Sequence, residues 1–299
     1  MSFSFDVKSE LCRLPVSRRC CAVAECYGIL LTCNLFSPSR LRIVTEHPEF
    51  AQRLEKLFHR AFELSFDTGS AACAENGKYV FGITGESKIR KIYESFELSP
   101  ADHVALHLNL GVIENDCCAV SLLRGAFLGG GSVTDPEKRY HLELTTTHTS
   151  VARELYSVLL DMDFSPKEIV RGGENVLYFK HSNQIEDFLT ALGAPICAMK
   201  LMETKVEKNL RNDVNRRCNC DSGNLSKMID ASRRQLAAIE RIRESGGWET
   251  LSPKLREIAE LRIADPEAPL SELAQMLNLT KSAAAHRLRM LTELAGEGK

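Results

Sequence analysis

Over the first two hundred residues, apolar and polar positions follow one pattern written twice. In the first copy, a run rich in Ala, Cys and Leu predicts a helix over residues 17–31. Residues 34–36 and 41–44 alternate around a turn at Ser37-Pro38-Ser39-Arg40 and predict a hairpin. Phe50, Leu54, Leu57, Phe58 and Ala61 then recur at helical spacing, predicting an amphipathic helix over residues 47–61. A short strand over 63–66, a long connection containing Gly69 and Asn76-Gly77, a strand over 79–83 and a helix over 86–96 complete this copy.

The second copy begins near Asp116. A helix over 117–128 ends at Gly129-Gly130-Gly131, and a hairpin joins 132–134 to 140–145 across Asp135-Pro136-Glu137. A helix over 150–162, a hairpin of 168–170 with 176–180 around Gly172-Gly173, and a helix over 183–192 follow. Each half therefore reads helix, hairpin, helix, hairpin, helix, at an offset near 97 residues. That offset is too long for a solenoid repeat and implies internal pseudo-two-fold symmetry.

The remaining third is different in kind. Residues 200–245 are helical and charged, and Gly246-Gly247 breaks them. The last fifty residues predict three short helices. Ser252-Pro253 opens the first, whose Leu255, Ile258 and Leu261 share a face, and Asp265-Pro266 closes it. Residues 270–277 form the second, and Asn278-Leu279-Thr280 is a three-residue turn whose Thr280 caps the third. Ala274 and Ala284 are small where two helices cross, while Leu273, Leu277, Leu279, Leu288 and Leu291 supply a small core. This is the helix-turn-helix arrangement. The exposed face of its third helix would offer Lys281, Ser282, Ala285, His286 and Arg289, with Arg287 beside them. No acid lies between Lys281 and Thr292. Basic side chains reach phosphates or guanine edges, so double-stranded DNA is the expected partner; the bland alternative is a three-helix bundle used for protein contacts. Arg211, Arg216 and Arg217, interleaved with Asn209, Asn212, Asn215 and Asn219, are further candidate DNA contacts, against the alternative of a solvated helix face.

Charge sharpens this division. Residues 200–299 hold 18 Lys+Arg against 15 Asp+Glu, a net of +3, whereas residues 1–199 hold 20 against 25, a net of −5. Polyanion contact is therefore expected in the C-terminal third. The whole chain, 299 residues with 44% apolar and 26% charged residues, has the composition of an ordinary globular protein. Residues 1–10 carry Asp6, Lys8 and Glu10 and no apolar core, and no apolar run is long enough to span a bilayer. A cytoplasmic, nucleoid-associated protein with no membrane partner is expected. The 11 cysteines, Cys73 among them, read as small hydrophobes in a reducing compartment. The nearest metal pattern, Cys218-Asn-Cys220, has too short a gap and no second ligand pair. No cofactor, metal or catalytic residue is expected.

Residues 123–132, Leu-Arg-Gly-Ala-Phe-Leu-Gly-Gly-Gly-Ser, resemble the LAGLIDADG signature of homing endonucleases, and residues 26–34 match them in the first half. The resemblance implies two helices packed side by side, with Gly28 and Gly125 allowing close approach. It also places Gly130 and Cys33 where a nuclease carries Mg²⁺-binding acids. Glycine has no side-chain ligand and thiol is a poor one for Mg²⁺, while Asp135 and Glu137 lie beyond the helix end. The nuclease site therefore reads as lost.

A degenerate LAGLIDADG domain followed by a helix-turn-helix resembles the WhiA family of bacterial regulators. The likeness is carried by residues 4–11, residues 124–138 with 140–143, Asn212-Asp-Val-Asn215-Arg216 with Asn219-Cys220 and Asn224-Leu225, residues 254–262, and Lys281-Ser282 with His286-Arg-Leu-Arg289. It implies an α+β, pseudo-two-fold LAGLIDADG-like domain over 1–199, a basic helical linker over 200–247 and an all-α helix-turn-helix domain over 248–299. It further implies a non-enzymatic transcriptional regulator tied to sporulation, cell division or chromosome segregation, with a C-terminal domain similar to the promoter-reading domain of sigma factors. RNA polymerase, a sigma factor or another regulator is an implied protein partner; the oligomeric state is not implied. The alternatives are a bridging protein that does not read DNA sequence and a residual endonuclease. One departure matters. The family usually has Gly-Val-Asn where this chain has Ala283-Ala284-Ala285, so any base reading by that Asn is absent at Ala285.

Overall fold

A computed structural model describes residues 2–71, 76–98 and 106–296; Cys73 lies outside them. The chain divides into two compact units, residues 1–208 and 209–299.

The first unit opens with a helix the sequence pattern did not announce, α1 (Phe3–Cys12), capped by the Ser2 hydroxyl. Its Phe3, Val7 and Leu11 are buried at four-residue spacing, so burial in the larger core holds it in place. The two helices of the repeat follow as α2 (Arg19–Thr32) and α5 (Asp116–Gly130), and they cross in direct backbone contact. A Cβ on Gly28 would stand 2.0 Å from the Leu122 carbonyl oxygen, and one on Gly125 2.0 Å from that of Glu25. The close approach expected at these two glycines is what the structure shows.

Around this pair, β1 (Leu35–Ser37), β2 (Arg40–Thr45) and β3 (Tyr79–Ile83) form an antiparallel sheet in the order β1-β2-β3. The second sheet contains β4 (Gly131–Val133), β5 (Leu142–Thr146), β6 (Lys167–Arg171) and β7 (Glu174–Phe179), ordered β4-β5-β7-β6. Registers pair Ile43 with Phe81 and Leu144 with Leu177, so alternate residues of each sheet enter the core. The helices α3 (Pro48–Phe62), α4 (Glu86–Ser95), α6 (Thr149–Asp161) and α7 (Ser182–Leu192) complete the unit.

The expected strand over 63–66 is not a strand. Glu63 takes a left-handed conformation that ends α3, and Thr68 forms an isolated bridge to Gly82 of the sheet. Among the described residues the first half therefore holds three strands, and the second half has both hairpins.

A charged pair, Glu25 and Arg53, is buried inside this core. Glu25 accepts from Arg53 at 2.5 and 2.8 Å and faces Arg124 at 3.5 Å, while Arg53 also donates to the carbonyls of Cys12 and Leu14. Burial alone would lower the Arg53 pKa; the hydrogen bonds and charge of Glu25 outweigh it and raise it.

The chain then enters α8 (Pro195–Glu244), one uninterrupted 50-residue helix that runs through the boundary between the units. Gly246, at φ +73°, follows its end. In the second unit, α9 (Pro253–Ala264), α10 (Leu270–Met276) and α11 (Lys281–Leu294) enclose a small core with the end of α8. Ile239, Ile242, Leu255, Ile258, Leu273, Leu288 and Leu291 fill it, and Ala274 and Ala284 are buried at the helix crossings. Arg262 is buried too, and donates to the Ala268 carbonyl at 2.8 Å, which fixes the turn between α9 and α10.

Candidate nucleic-acid interface

The turn from α10 to α11 is built by three residues. Asn278 takes a positive φ of 51°, and the Leu279 amide donates to the Ala274 carbonyl at 2.8 Å. The Thr280 hydroxyl accepts from the Ala283 amide at 3.2 Å, which is the expected N-cap. This sets the start of α11 and hence which side chains face outward. Ala284, Leu288 and Leu291 point into the core. Lys281, Ser282, Ala285, His286 and Arg289 are exposed, and they lie on one face by helical spacing. The Ser282 hydroxyl lies 3.1 Å from that of Thr280. Arg289 lies 3.2 Å from His286 Nδ1 and 3.4 Å from Glu293.

Arg287 is placed elsewhere. It turns towards α9, 3.8 Å from Glu257 and 3.4 Å from the Lys254 carbonyl, with its side chain only 19% exposed. Arg211, Arg216 and Arg217 are all exposed on α8, with Arg216 3.7 Å from Asp213. At ~100° per residue they spread round the helix and do not form one face. The candidate residues on α11 are thus brought together, apart from Arg287, and those on α8 are not.

In the first unit, the helix ends where a homing endonuclease would hold Mg²⁺ are closed off. Thr146 donates to the Leu31 carbonyl at 3.0 Å, Thr145 to Gly130 at 2.9 Å, and the Lys8 ammonium to Leu128 at 3.1 Å. A Cβ on Gly130 would stand 2.5 Å from the Thr145 carbonyl oxygen, so no acid fits there without moving the strand. The Cys33 thiol donates to Leu30, and burial pushes its pKa up to about 12. Asp135 and Glu137 are exposed in the β4–β5 turn, where the Asp135 carboxylate accepts the Glu137 amide. These residues do not fit a divalent ion. The LAGLIDADG resemblance exposed the missing acids, but nothing in the sequence marked Lys8 and the two threonines, from α1 and β5, as the donors to these helix-end carbonyls.

Comparison with known proteins agrees with this layout. The family model for the WhiA LAGLIDADG-like domain matches residues 119–211, and that for the WhiA C-terminal HTH domain matches residues 214–295. A "Probable cell division protein WhiA" from Ruminiclostridium cellulolyticum is 38% identical, covering 99% of this chain and 97% of the relative. The chain belongs to the WhiA family. The WhiA relative of the same printed name from Alkaliphilus metalliredigens is 36% identical over 99% of the chain and 98% of its own length. The crystal structure of full-length WhiA from Thermatoga maritima aligns with a TM-score of 0.61 at 25% identity, covering 100% of this chain and 99% of that one. The α+β LAGLIDADG-like domain with two antiparallel sheets and the helical HTH region are therefore WhiA features. Among the described residues, no helix is long and apolar enough to cross a membrane.

Proposed function

We propose that this chain is a non-enzymatic, DNA-binding transcriptional regulator acting in cell division, chromosome segregation or sporulation, at the nucleoid in the cytoplasm. The observation that carries the reading is the outward face of α11, where Lys281, Ser282, His286 and Arg289 are exposed on a capped helix that no acid interrupts before Glu293. In the helix-turn-helix mode such a helix enters the major groove with its N-terminal residues at the base edges. Residues 248–299 act as the reader, with Ala285 leaving base selection to its neighbours. Residues 200–247 contribute backbone contacts through Arg211, Arg216 and Arg217, and residues 1–199 serve without cutting DNA. Arg287, held against α9, supports the reader's packing more than its contact with a duplex. RNA polymerase, a sigma factor or another regulator fits as a protein partner.

The test is duplex binding by the full chain and by Lys281→Glu and Arg289→Glu variants, with Mg²⁺ present and DNA length checked afterwards. Each reversal should weaken binding at least tenfold, by about 1.4 kcal/mol or more, and the DNA should stay intact. Unchanged binding in both variants would favour the bridging role, and Mg²⁺-dependent cutting would restore the nuclease reading.

A further inference from the structure

Four cysteines of the first unit converge. The Sγ atoms of Cys20, Cys21, Cys117 and Cys118 all lie within 4.8 Å of one another. They come in two adjacent pairs at equivalent places, the second and third residues of α2 and of α5. The offset between the pairs is the 97 residues of the internal repeat, so the pseudo-two-fold axis that relates the helices also relates the thiols. Cys118 is buried and the other three are half-buried, and none is in a disulfide.

We propose that these four thiols form a tetrahedral, single-ion zinc site that ties together the N-terminal ends of the two central helices. Zinc–thiolate bonds of about 2.3 Å imply sulfur–sulfur edges of about 3.8 Å in a tetrahedron. The Cys20–Cys21 separation is 4.0 Å, so small side-chain rotations close the shell. Four sulfurs in tetrahedral array select zinc over magnesium or calcium, which require oxygen. A four-iron cluster needs its thiolates farther apart than this group stands.

Binding converts four thiols and Zn²⁺ into a tetrathiolate complex of net charge −2, releasing four protons to solvent. The surroundings suit that charge. Arg18 Nη1 lies 3.8 Å from Cys117 Sγ, and two helix N-termini point their positive ends at the sulfurs. A solvent-open cleft lined by Cys21, Cys117, Ser121 and Arg124 gives the ion an entry path. Sequence pattern singled out only Cys218 and Cys220 as candidate metal ligands, not these four cysteines. Those two are exposed on α8 and belong to no ligand cluster among the described residues.

The experiment is metal analysis of the full chain, loaded with zinc chloride under reducing conditions and desalted. One zinc per chain is expected, falling to none in Cys20→Ser and Cys117→Ser variants and unchanged in the Cys218→Ser/Cys220→Ser double variant. Cobalt loading should give the visible bands of a tetrahedral tetrathiolate complex. Should a serine variant fail to fold, alkylation mapped by mass spectrometry on the wild-type chain decides. Zinc should protect Cys20, Cys21, Cys117 and Cys118 and leave Cys218 and Cys220 reactive. No retained zinc, zinc retained by both single variants, iron with acid-labile sulfide, or a disulfide within the four would each overturn the proposal.

Discussion

His47 shows how much one side chain fixes. It is the N-cap of α3, and its Nδ1 accepts the Phe50 amide at 3.2 Å. Nε2 must then carry the proton, and it lies 3.1 Å from the Phe5 carbonyl and 3.2 Å from the Ser9 hydroxyl. The neutral ring therefore satisfies α3 and ties it to α1 at once. A second proton would fall on Nδ1 and destroy the cap. Burial, the largest cause, lowers the His47 pKa below its ordinary 6.5, and it does the same for His148, the N-cap of α6 in the second half. The unfolded chain thus takes up protons first as pH falls through 6.5, and the stability contributed by the neutral ring is present above that pH and lost below it. Denaturant titrations should show stability falling at up to about 1.4 kcal/mol per pH unit for His47 in that window. His47→Asn keeps a capping oxygen and removes the titration, so its curve should be flatter there. An identical slope in the variant would assign the pH dependence to other groups.

At the scale of elements, the α2–α5 crossing governs the first unit. Its two contact points, Gly28 against Leu122 and Gly125 against Glu25, place backbone on backbone with no flexible side chain to yield. Gly28→Ala or Gly125→Ala must separate the helices, and each should destabilise the protein by about 3 kcal/mol or more in a urea titration. A loss below about 1 kcal/mol would mean the helices slide apart freely. This crossing was legible through the resemblance to the LAGLIDADG signature, which implies two helices meeting at Gly28 and Gly125, while α3, the hairpins β1–β2, β4–β5 and β6–β7, and the three C-terminal helices were legible from periodicity. What escaped detection depended on distant partners. The short helix α1 is set by burial against the core, and the apparent strand over 63–66 is displaced by a left-handed Glu63 that no local pattern marks. The cysteine quartet was half visible, since its pairs share the repeat's offset, but only the packing of α2 on α5 brings four sulfurs together.

For the whole molecule, the uneven charge has a measurable consequence. A protein that neutralises phosphates loses affinity with salt at a slope of about −0.9 per contact on duplex DNA. The α11 face offers Lys281 and Arg289, and α8 offers Arg211, Arg216 and Arg217. The α8 arginines stand about 140°, 100° and 120° apart round the helix, so one duplex lying against it meets at most two of them. Replacing all three by Ala should therefore reduce the salt slope by about one to two and not three, with little change in preference among sequences. Replacing Lys281 or Arg289 should alter both slope and sequence preference, because α11 is the element that reaches base edges. A slope change near three from the α8 variant would require DNA to wrap the helix. No change at all would return those arginines to the role of a solvated surface and leave α11 as the sole basic contact.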